Sequence, residues 1–296
     1  MDERIEILSV SLLDSERETI NELKRTARQL KLEFGWHYLL DLSWILSQID
    51  QITNQVIMDA GAGTGVIQWF LADQGATVIS VDRQSRENLP SRFRRRFRVE
   101  GMRTSDLAAE KALSGWGTKT LKSAVSDWVD RVQVGVLHTS SSRGNNQGKV
   151  IIYNQDLTDL LEIQDNSIDT VVAISSLEHN SPQGLEAVVS ELMRVLKPGG
   201  ALLATLVASR DEDWFHEPSK GWCYSEQTLK RIFQLPDAAP SNYADYDALF
   251  EKLVHNQELK QDLASFYSKS GDNGMPWGNW NPEYQPVGVC RIKSQA

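Results

Sequence analysis

The chain has 296 residues, a formal net charge of −9 and 24% charged residues. This length is enough for one α/β domain with a full core, and the negative charge argues against general nucleic-acid binding, which needs a basic face. No uncharged apolar run approaches the roughly 20 residues of a membrane helix, and the N-terminus does not read as a signal peptide. Cys223 and Cys290 alone indicate neither a disulfide framework nor a zinc site, so we expect a protein of the reducing cytoplasm.

Two helices are predicted before the first strand. Residues 14–33 carry apolar residues three or four positions apart, and Ser15 and Glu18 have the spacing of a capping box. Trp36–Ile49 predicts a second, more apolar helix whose tryptophans we expect in the core. Two polar-tipped residues at its start are better candidates to line a substrate pocket: His37 and Tyr38.

The segment Val56–Gly65 is the most informative part of the chain. A short apolar run ends at Asp59 and is followed by three glycines that alternate with small residues. This pattern predicts a buried strand and a tight turn into a helix, where a ligand lies against bare backbone. The glycines of the turn are Gly61, Gly63 and Gly65.

The same segment discriminates between two classes of nucleotide-type ligand. A dinucleotide fold needs G-x-G-x-x-G/A, but Val66 stands at the third required position. Asp59 would repel a pyrophosphate and attract the amino group of S-adenosylmethionine. A second strand, Ala76–Val81, ends at Asp82, which can accept hydrogen bonds from ribose hydroxyls in either class. The residues therefore favour S-adenosylmethionine.

Over roughly residues 52–210 the chain resembles the class I S-adenosylmethionine-dependent methyltransferases. After the glycine segment, Lys149–Leu157, Ser167–His179 and Glu191–Thr205 match the family pattern in order, most closely that of the small-molecule, quinone-biosynthesis type. The resemblance implies an α/β fold: a Rossmann-like, seven-stranded, mostly parallel sheet with helices on both faces, an N-terminal helical extension and helical insertions that form a substrate cap.

The resemblance also implies a set of cofactor-binding positions. Asp156 stands where the family places an acid on the adenine amino group, and Leu157 would supply a neighbouring backbone N–H. The full set is Asp59, Gly61, Gly63, Gly65, Asp82, Arg83, Asp156, Leu157 and Ser175.

We interpret residues 1–296 as a single methyltransferase domain. It divides into N-terminal helices at 1–52, a cofactor-binding core at 53–210, a substrate-cap insertion at 211–286 and a final strand at 287–296. A further expansion precedes Lys149, with helical character at 106–113 and 121–132, and residues 245–268 predict one long helix or two shorter ones.

The segment Arg83–Arg103 holds eight arginines against two glutamates, a local charge of +6. One interpretation is a solvated loop or helix face. The other is a patch for an anionic substrate or an acidic partner, because guanidinium groups match phosphate and carboxylate oxygens.

His179 is the best candidate for a general base, because it follows the fourth strand at the carboxyl edge of the sheet. The alternative is a hydrogen bond that fixes the loop, and Glu178 beside it is expected to be structural. No catalytic metal is expected, since Ser175 and Ser176 stand where metal-dependent relatives place a carboxylate. Candidate substrate-binding residues in the cap are Trp214, His216, Trp222 and Tyr224.

These observations predict an S-adenosylmethionine-dependent methyltransferase that acts on a small-molecule acceptor, with O-methylation favoured and an anionic acceptor mildly favoured by the arginines. Two other classes stay open: a nicotinamide-dependent oxidoreductase, and a catalytically silent cofactor-binding protein that works through partners. The sequence does not decide the oligomeric state.

Overall fold

A ten-stranded sheet organises the chain in the computed structural model, which describes residues 2–108, 148–266 and 280–295. Its strands are β1 Arg4–Ile7, β2 Val56–Ala60, β3 Thr77–Asp82, β4 Arg98–Gly101, β5 Lys149–Asn154, β6 Ile168–Ile174, β7 Leu196–Ala208, β8 Trp214–His216, β9 Gly221–Tyr224 and β10 Gln285–Ile292.

The helices lie between and beside these strands. They are α1 Leu12–Ser15, α2 Arg17–Leu30, α3 Tyr38–Ser47, α4 Val66–Asp73, α5 Ser91–Arg96, α6 Pro182–Val195, α7 Glu226–Ile232, α8 Tyr246–Val254 and α9 Gln257–Phe266, with short 3₁₀ turns at Leu177–His179 and Tyr243–Asp245. Among the described residues, no helix combines the length and the apolar character needed to cross a membrane.

The strand order is β1-β10-β7-β6-β2-β3-β5-β4, with β9 paired to the end of β7 and β8 paired to β9. Strands β4, β5, β3, β2, β6 and β7 run parallel, whereas β10 is antiparallel to both β7 and β1. This confirms the Rossmann-like, mostly parallel α/β class. The sheet exceeds the seven strands predicted, because β4 and the β8–β9 pair extend it.

The N-terminal segment, predicted to be helical, also contributes an edge strand. Ile5 and Ile7 of β1 are buried, and the side chain of Asn242 bonds both backbone groups of Ile7, with the N–H at 2.7 Å and the carbonyl at 3.0 Å. The amide thereby satisfies both backbone groups of Ile7 at the strand edge, where the Ile5 N–H donates to the Pro240 carbonyl at 3.0 Å.

Apolar side chains cover both faces of the sheet. Ile57 and Val172 belong to the core shared with α2, α3 and α4, whereas Met58 and Val171 belong to the core shared with α6 and α7. Successive strand residues point to opposite faces, so these almost wholly apolar strands indicate helices on both sides.

The predicted helix over 14–33 is two helices, and its predicted capping box does not form. Ser15 ends α1, and the N-cap residue of α2 is Glu16, which makes no side-chain capping bond. The second predicted helix is α3, which lies within the predicted range. Trp44 in this helix and Trp36 just before it are buried as expected.

Farther along the chain, the described part of the predicted range 245–268 forms two helices, α8 and α9, which agrees with one of the two predictions. The helix predicted at 121–132 and most of that at 106–113 lie outside the described residues, and Asp106–Ala108 form turn and irregular structure.

The chain order of the strands reverses at β2, which has β3 on one side and β6 on the other. In open parallel sheets, ligands bind at the carboxyl ends of the strands where this reversal occurs. The candidate site is therefore at the ends of β2, β3 and β6.

Candidate functional site

The turn after β2 has the glycine geometry that the sequence predicts. Gly61 and Gly63 have positive φ values of +78° and +46°, which side-chain-bearing residues rarely adopt. A Cβ on Gly61 would lie 2.5 Å from Cβ of Ser176. Gly61 therefore allows the turn after β6 to approach the end of β2.

A buried glutamine holds this glycine turn from behind. Gln68 of α4 is fully buried, and its Nε2 donates to the carbonyls of Ala62 at 3.3 Å and Gly65 at 3.1 Å. Its Oε1 accepts the Ser80 hydroxyl at 2.7 Å. The turn is thus tied to β3 through side-chain bonds that residue spacing alone does not reveal.

Arg86 supplies a buried positive charge on the same side. Its guanidinium donates to the carbonyls of Ser80 at 2.8 Å, Tyr153 at 3.0 Å and Gly63 at 3.3 Å. Burial lowers the pKa of Arg86, and the nearby carboxylates, Asp82 first, oppose this effect. The cation lies within electrostatic range of both acids expected at the cofactor site.

Asp59 carries a buried oxygen without a partner. The residue is 2% exposed, and within the described ranges its Oδ2 accepts no hydrogen bond. Burial raises the pKa of Asp59 to about 7, which the charge of Arg86 opposes and that of Asp82 reinforces. An unpartnered buried carboxylate oxygen beside an open glycine turn fits a ligand that brings a cationic or donor group.

Asp82 organises the turn as well as facing the site. Its Oδ2 accepts the N–H of Gly63 at 2.7 Å, and its Oδ1 accepts the N–H of Gln84 at 2.7 Å. A carboxylate has lone pairs for more than one bond per oxygen, so these contacts orient Asp82 and leave capacity for ribose hydroxyls.

The acid at the end of β5 is exposed and closes its own turn. Asp156 Oδ1 accepts the backbone N–H and the hydroxyl of Thr158, at 2.9 and 2.7 Å. These bonds lower the pKa of Asp156, and the charge of Arg83 adds to the effect. Arg83 is exposed and Leu157 is partly buried against the second apolar core.

Glu178, expected to be structural, is a second buried carboxylate at this edge. It is 3% exposed, its Oε1 accepts the Ser175 hydroxyl, and its Oε2 accepts nothing from the described residues. Burial raises the pKa of Glu178, against the charge of His179 and the bond from Ser175. Ser175 has a φ of +43°, and its N–H donates to the Thr205 carbonyl at 3.0 Å.

His179 lies at the surface of the same turn. Its Nδ1 is 3.0 Å from the Lys220 carbonyl oxygen. Because a carbonyl only accepts, Nδ1 carries the proton and Nε2 keeps its lone pair in the neutral ring. The loop-fixing bond of the alternative interpretation is present, and it leaves the other nitrogen available.

His37 is in a buried ion pair rather than on an open pocket wall. It is 3% exposed, and its Nδ1 is 2.6 Å from Asp41 Oδ2. Burial alone lowers the pKa of His37, but the charge and hydrogen bond of Asp41, with the charge of Glu178, raise it above its usual value. Asp41 thus engages one of the two ring nitrogens of His37, and the substrate-binding role of His37 stays a prediction.

Tyr38 lies close to three buried carboxyl groups, each of which has one oxygen without a hydrogen-bond partner among the described residues. Burial raises its pKa above the usual range, and the charges of Glu178, Asp41 and Asp59 raise it further, whereas a hydrogen bond with Ser175 opposes them. Tyr38 is therefore close to both the cofactor side and the Glu178 side of the edge.

Two of the predicted cap residues are buried and bonded within the fold. His216 is 2% exposed, with Nδ1 2.7 Å from the Ser219 hydroxyl and Nε2 3.0 Å from Glu283 Oε2. The hydroxyl of buried Tyr224 donates to the Asn180 carbonyl at 2.6 Å and keeps its acceptor lone pairs. Their substrate-binding role stays a prediction.

The two cap tryptophans occupy different environments. Trp214 is 39% exposed and its ring lies edge-on to His216 at 5.6 Å. Trp222 is half-buried and lies edge-on to Phe215, also at 5.6 Å. Trp214 is the more accessible of the two.

Tyr284 joins the cap to α3 and was not singled out by the sequence. It is 3% exposed, accepts the indole N–H of Trp36 at 3.1 Å, and contacts the rings of His37 and His216 at centroid distances of 5.8 and 5.1 Å. Tyr284 directly precedes β10, and its position beside α3 depends on the tertiary fold.

The arginines of the segment 83–103 are mostly used within the fold. Besides Arg86, several pair with carboxylates or backbone carbonyls: Arg92 with Leu30, Arg94 with Ala108, Arg96 with Asp73, Arg98 with Glu100 and Arg103 with Asp106. Much of the segment is therefore tied into the fold, whereas Arg83 and Arg95 are exposed.

No group of three or more His, Cys, Asp or Glu side chains in the described ranges is arranged to hold a metal ion. Asp169, at the start of β6, has both oxygens engaged, by the N–H of Val56 at 2.8 Å and by Lys197 Nζ at 2.6 Å. It joins β6 to β2 and β7.

A family model described as a methyltransferase domain matches residues 129–204, which include β5, β6, α6 and part of β7. A search of curated proteins finds no match. The family match and the glycine turn are independent, because the turn lies before the matched residues.

The solved structures to which the chain is similar share little sequence with it and have low TM-scores. The [4+2]-cyclase SpnF has a TM-score of 0.45 at 14% identity, covering 99% of this chain and 100% of the cyclase. Magnesium protoporphyrin IX methyltransferase from Synechocystis PCC 6803, solved with bound SAM, has a TM-score of 0.39 at 14% identity, covering 96% and 85%. 1,6-Didemethyltoxoflavin-N1-methyltransferase from Burkholderia thailandensis has a TM-score of 0.39 at 13% identity, and the match covers 96% of this chain and 84% of that enzyme.

Scores of this size do not transfer a reaction or a substrate to the chain. The methyltransferase-domain match, together with the Rossmann-like sheet, supports an enzyme of the class I S-adenosylmethionine-dependent methyltransferases (EC 2.1.1) with S-adenosylmethionine as its cofactor.

Proposed function

We propose that the chain transfers the methyl group of S-adenosylmethionine to a hydroxyl group of a small-molecule acceptor. The observation that carries this proposal is the unpartnered, buried Oδ2 of Asp59 beside the glycine turn. When bound, the cofactor supplies a methyl group that its positive sulfur already activates.

Each part of the edge has a role toward that cofactor. Asp59 would hold the amino group, directly or through water, and the turn from Gly61 to Gly65 would cover the nucleoside. Asp82 would accept from the ribose hydroxyls. Asp156 and the Leu157 N–H would bind the adenine ring, with Arg83 and Ser175 at the margins of the same site.

The electrostatics of the edge favour this ligand over a nicotinamide dinucleotide. Asp82 is close enough to Asp59 that its charge raises the pKa of Asp59. A pyrophosphate would add negative charge beside them, whereas an ammonium group would relieve the repulsion. Val66 also stands where a dinucleotide turn requires a small third residue.

His179 is the base in this proposal. Its Nδ1–H donates to the Lys220 carbonyl, which orients the ring and leaves Nε2 to accept the proton of the acceptor hydroxyl. In the balanced reaction, the sulfur–methyl bond breaks, an oxygen–methyl bond forms and the hydroxyl proton goes to Nε2. Transfer to nitrogen would follow the same course where an amine replaces the hydroxyl.

The remaining sequence-level predictions stay part of the proposal. We treat residues 1–296 as one methyltransferase domain of the small-molecule, quinone-biosynthesis type, with residues 211–286 as the substrate cap. Cys223 and Cys290 are free and buried, which supports a reducing cytoplasm. The anionic acceptor is not retained, because the described arginines that motivated it are largely paired.

Isothermal titration of the wild-type protein with S-adenosylhomocysteine and, separately, with NAD tests the proposal. We expect saturable binding of S-adenosylhomocysteine and none of NAD. Binding of NAD without S-adenosylhomocysteine would select the oxidoreductase class. Binding of S-adenosylhomocysteine with no cofactor consumption across a broad panel of hydroxyl and amine acceptors would favour the silent partner protein.

A further inference from the structure

Glu178 has one satisfied oxygen and one that is not. Oε1 accepts the Ser175 hydroxyl, whereas Oε2 is buried and has no hydrogen-bond partner among the described residues. Leaving a buried carboxylate oxygen unpaired costs stability, so such a group in a native fold calls for a ligand or an explanation.

The side chains around Glu178 do not satisfy its second oxygen. The Nδ1 atoms of His37 and His179 are engaged by Asp41 and by the Lys220 carbonyl, and the Tyr224 hydroxyl donates to the Asn180 carbonyl. No described side chain, including these, makes a hydrogen bond to Oε2. A donor that a bound molecule brings would satisfy it.

Glu178 is also held in place on its far side. A Cβ on Gly221 of β9 would lie 3.1 Å from Cγ of Glu178, so the backbone of β9 packs closely against this side chain. The short 3₁₀ turn Leu177–His179 follows β6 directly at the carboxyl edge. A side chain fixed by its neighbours can hold a ligand group in one orientation.

The position of Glu178 is next to the cofactor site but distinct from it. Tyr38 is close enough to Asp59 and to Glu178 that both charges raise its pKa. Ser176, two residues before Glu178, packs against Gly61 of the glycine turn. Asp59 Oδ2 and Glu178 Oε2 thus lie near the same tyrosine, as does Asp41 Oδ1, the third buried carboxylate oxygen without a partner among the described residues.

On this basis, and resting on the proposed methyl transfer, we propose that Glu178 Oε2 binds a hydrogen-bond donor of the methyl acceptor beside its reacting atom. The acceptor is then a neutral or cationic molecule that bears a hydroxyl or amine group there, and not a carboxylate or phosphate. Glu178 acts as a specificity-determining group that positions the acceptor, while His179 takes the proton.

The charge balance supports this class of acceptor. Asp41, Asp59 and Glu178 are three buried carboxyl groups against two buried basic groups: His37, which pairs with Asp41, and Arg86, whose charge acts on Asp59. A further negative charge would meet unpaired oxygens, whereas a donor group would satisfy one. Buried rings of Trp36 and Tyr284, 5.2 Å apart, lie in the same region and favour an apolar, ring-like body.

Two measurements on Glu178→Gln separate this role from a structural one. The first is the thermal unfolding midpoint at pH 8. We expect Glu178→Gln to keep the wild-type Tm or to raise it, by up to about 2–4 °C, because it removes an unpaired buried charge. The matched control is Glu191→Gln, whose carboxylate pairs with Arg194 and the Leu160 N–H, and which should lower Tm.

The second measurement is ligand-observed NMR with three probes on one ring: benzyl alcohol, benzylamine and benzoate, each with saturating S-adenosylhomocysteine. We expect the alcohol and the amine to bind the wild type and benzoate not to bind. Binding of the amine to Glu178→Gln should be about tenfold weaker or more, the effect of one lost hydrogen bond to a charged group.

Four results would overturn the role of Glu178. Two are a larger loss of Tm in Glu178→Gln than in Glu191→Gln, and benzoate binding equal to that of the amine. The others are no binding of the alcohol and the amine to the wild type, and equal amine binding to Glu178→Gln and wild type. Failure of S-adenosylhomocysteine to bind the wild type contradicts the proposed function instead, and the Tm comparison still decides the role of Glu178.

Discussion

Replacing Asp59 with asparagine should make the ligand-free protein more stable and lower its affinity for the cofactor. Asp59 is buried and unpartnered at Oδ2, and burial raises its pKa from 3.8 to about 7. At about 1.4 kcal/mol for each tenfold change in proton affinity, this difference corresponds to roughly 4 kcal/mol of lost stability once the group is ionised.

The sign follows from proton binding. Between pH 4 and 7 the folded state keeps the Asp59 proton that the unfolded state has lost, so stability falls as the pH rises through this window. The amide in Asp59→Asn cannot ionise and escapes this loss. Burying that amide costs about 1–3 kcal/mol, so the net gain at pH 8 is roughly 1–3 kcal/mol.

Urea unfolding of wild type and Asp59→Asn at pH 8 and at pH 5 measures this difference. The gain should shrink at the lower pH, where wild-type Asp59 is protonated in the fold. Asp169→Asn is the matched control: its oxygens are already bonded, to the Val56 N–H and to Lys197, so it should be no more stable than wild type. An Asp59→Asn protein that is no more stable than wild type at pH 8, or that binds S-adenosylhomocysteine as tightly, would refute the reasoning.

Three further substitutions test other parts of the edge. Asp82→Ala should weaken S-adenosylhomocysteine binding by roughly 1–3 kcal/mol in calorimetry, the range for a lost charged hydrogen bond; unchanged affinity would remove Asp82 from the site. Gly61→Ala should lower the free energy of unfolding by more than about 1 kcal/mol, because its φ is +78° and its Cβ would meet Ser176 at 2.5 Å; wild-type stability would contradict this. His179→Ala should lower turnover with nearly unchanged cofactor affinity. A wild-type rate would show that His179 is not the base and serves only to fix the loop through its bond to the Lys220 carbonyl.

The sequence predicts those parts of the fold that depend on local pattern. Apolar runs that end in an acid or a glycine turn locate β2, β3, β5 and β6, because buried parallel strands need continuous apolar residues. The glycine turn is equally legible, since its φ values restrict the residue type. Alternating burial in β1 is too short a signal, at four residues, to stand out beside the strong helical pattern that follows.

The parts of the site that depend on tertiary contact could not be predicted in this way. Gln68 and Arg86 hold the glycine turn through bonds to carbonyls of other segments, which no spacing rule encodes. Glu178 and Tyr284 are site candidates because of their tertiary contacts, which for Glu178 include the Ser175 hydroxyl and for Tyr284 the Trp36 indole. Charge counting over 83–103 also misled, because a net charge does not tell which arginines find partners inside the fold.

The most direct test of the account is a crystal structure of the protein with S-adenosylhomocysteine. We predict density at the carboxyl ends of β2, β3 and β6, with the ligand amino group bonded to Asp59, directly or through one water, and the ribose on Asp82. An edge that stays empty, or that takes NAD with its pyrophosphate over the glycine turn, would contradict the account.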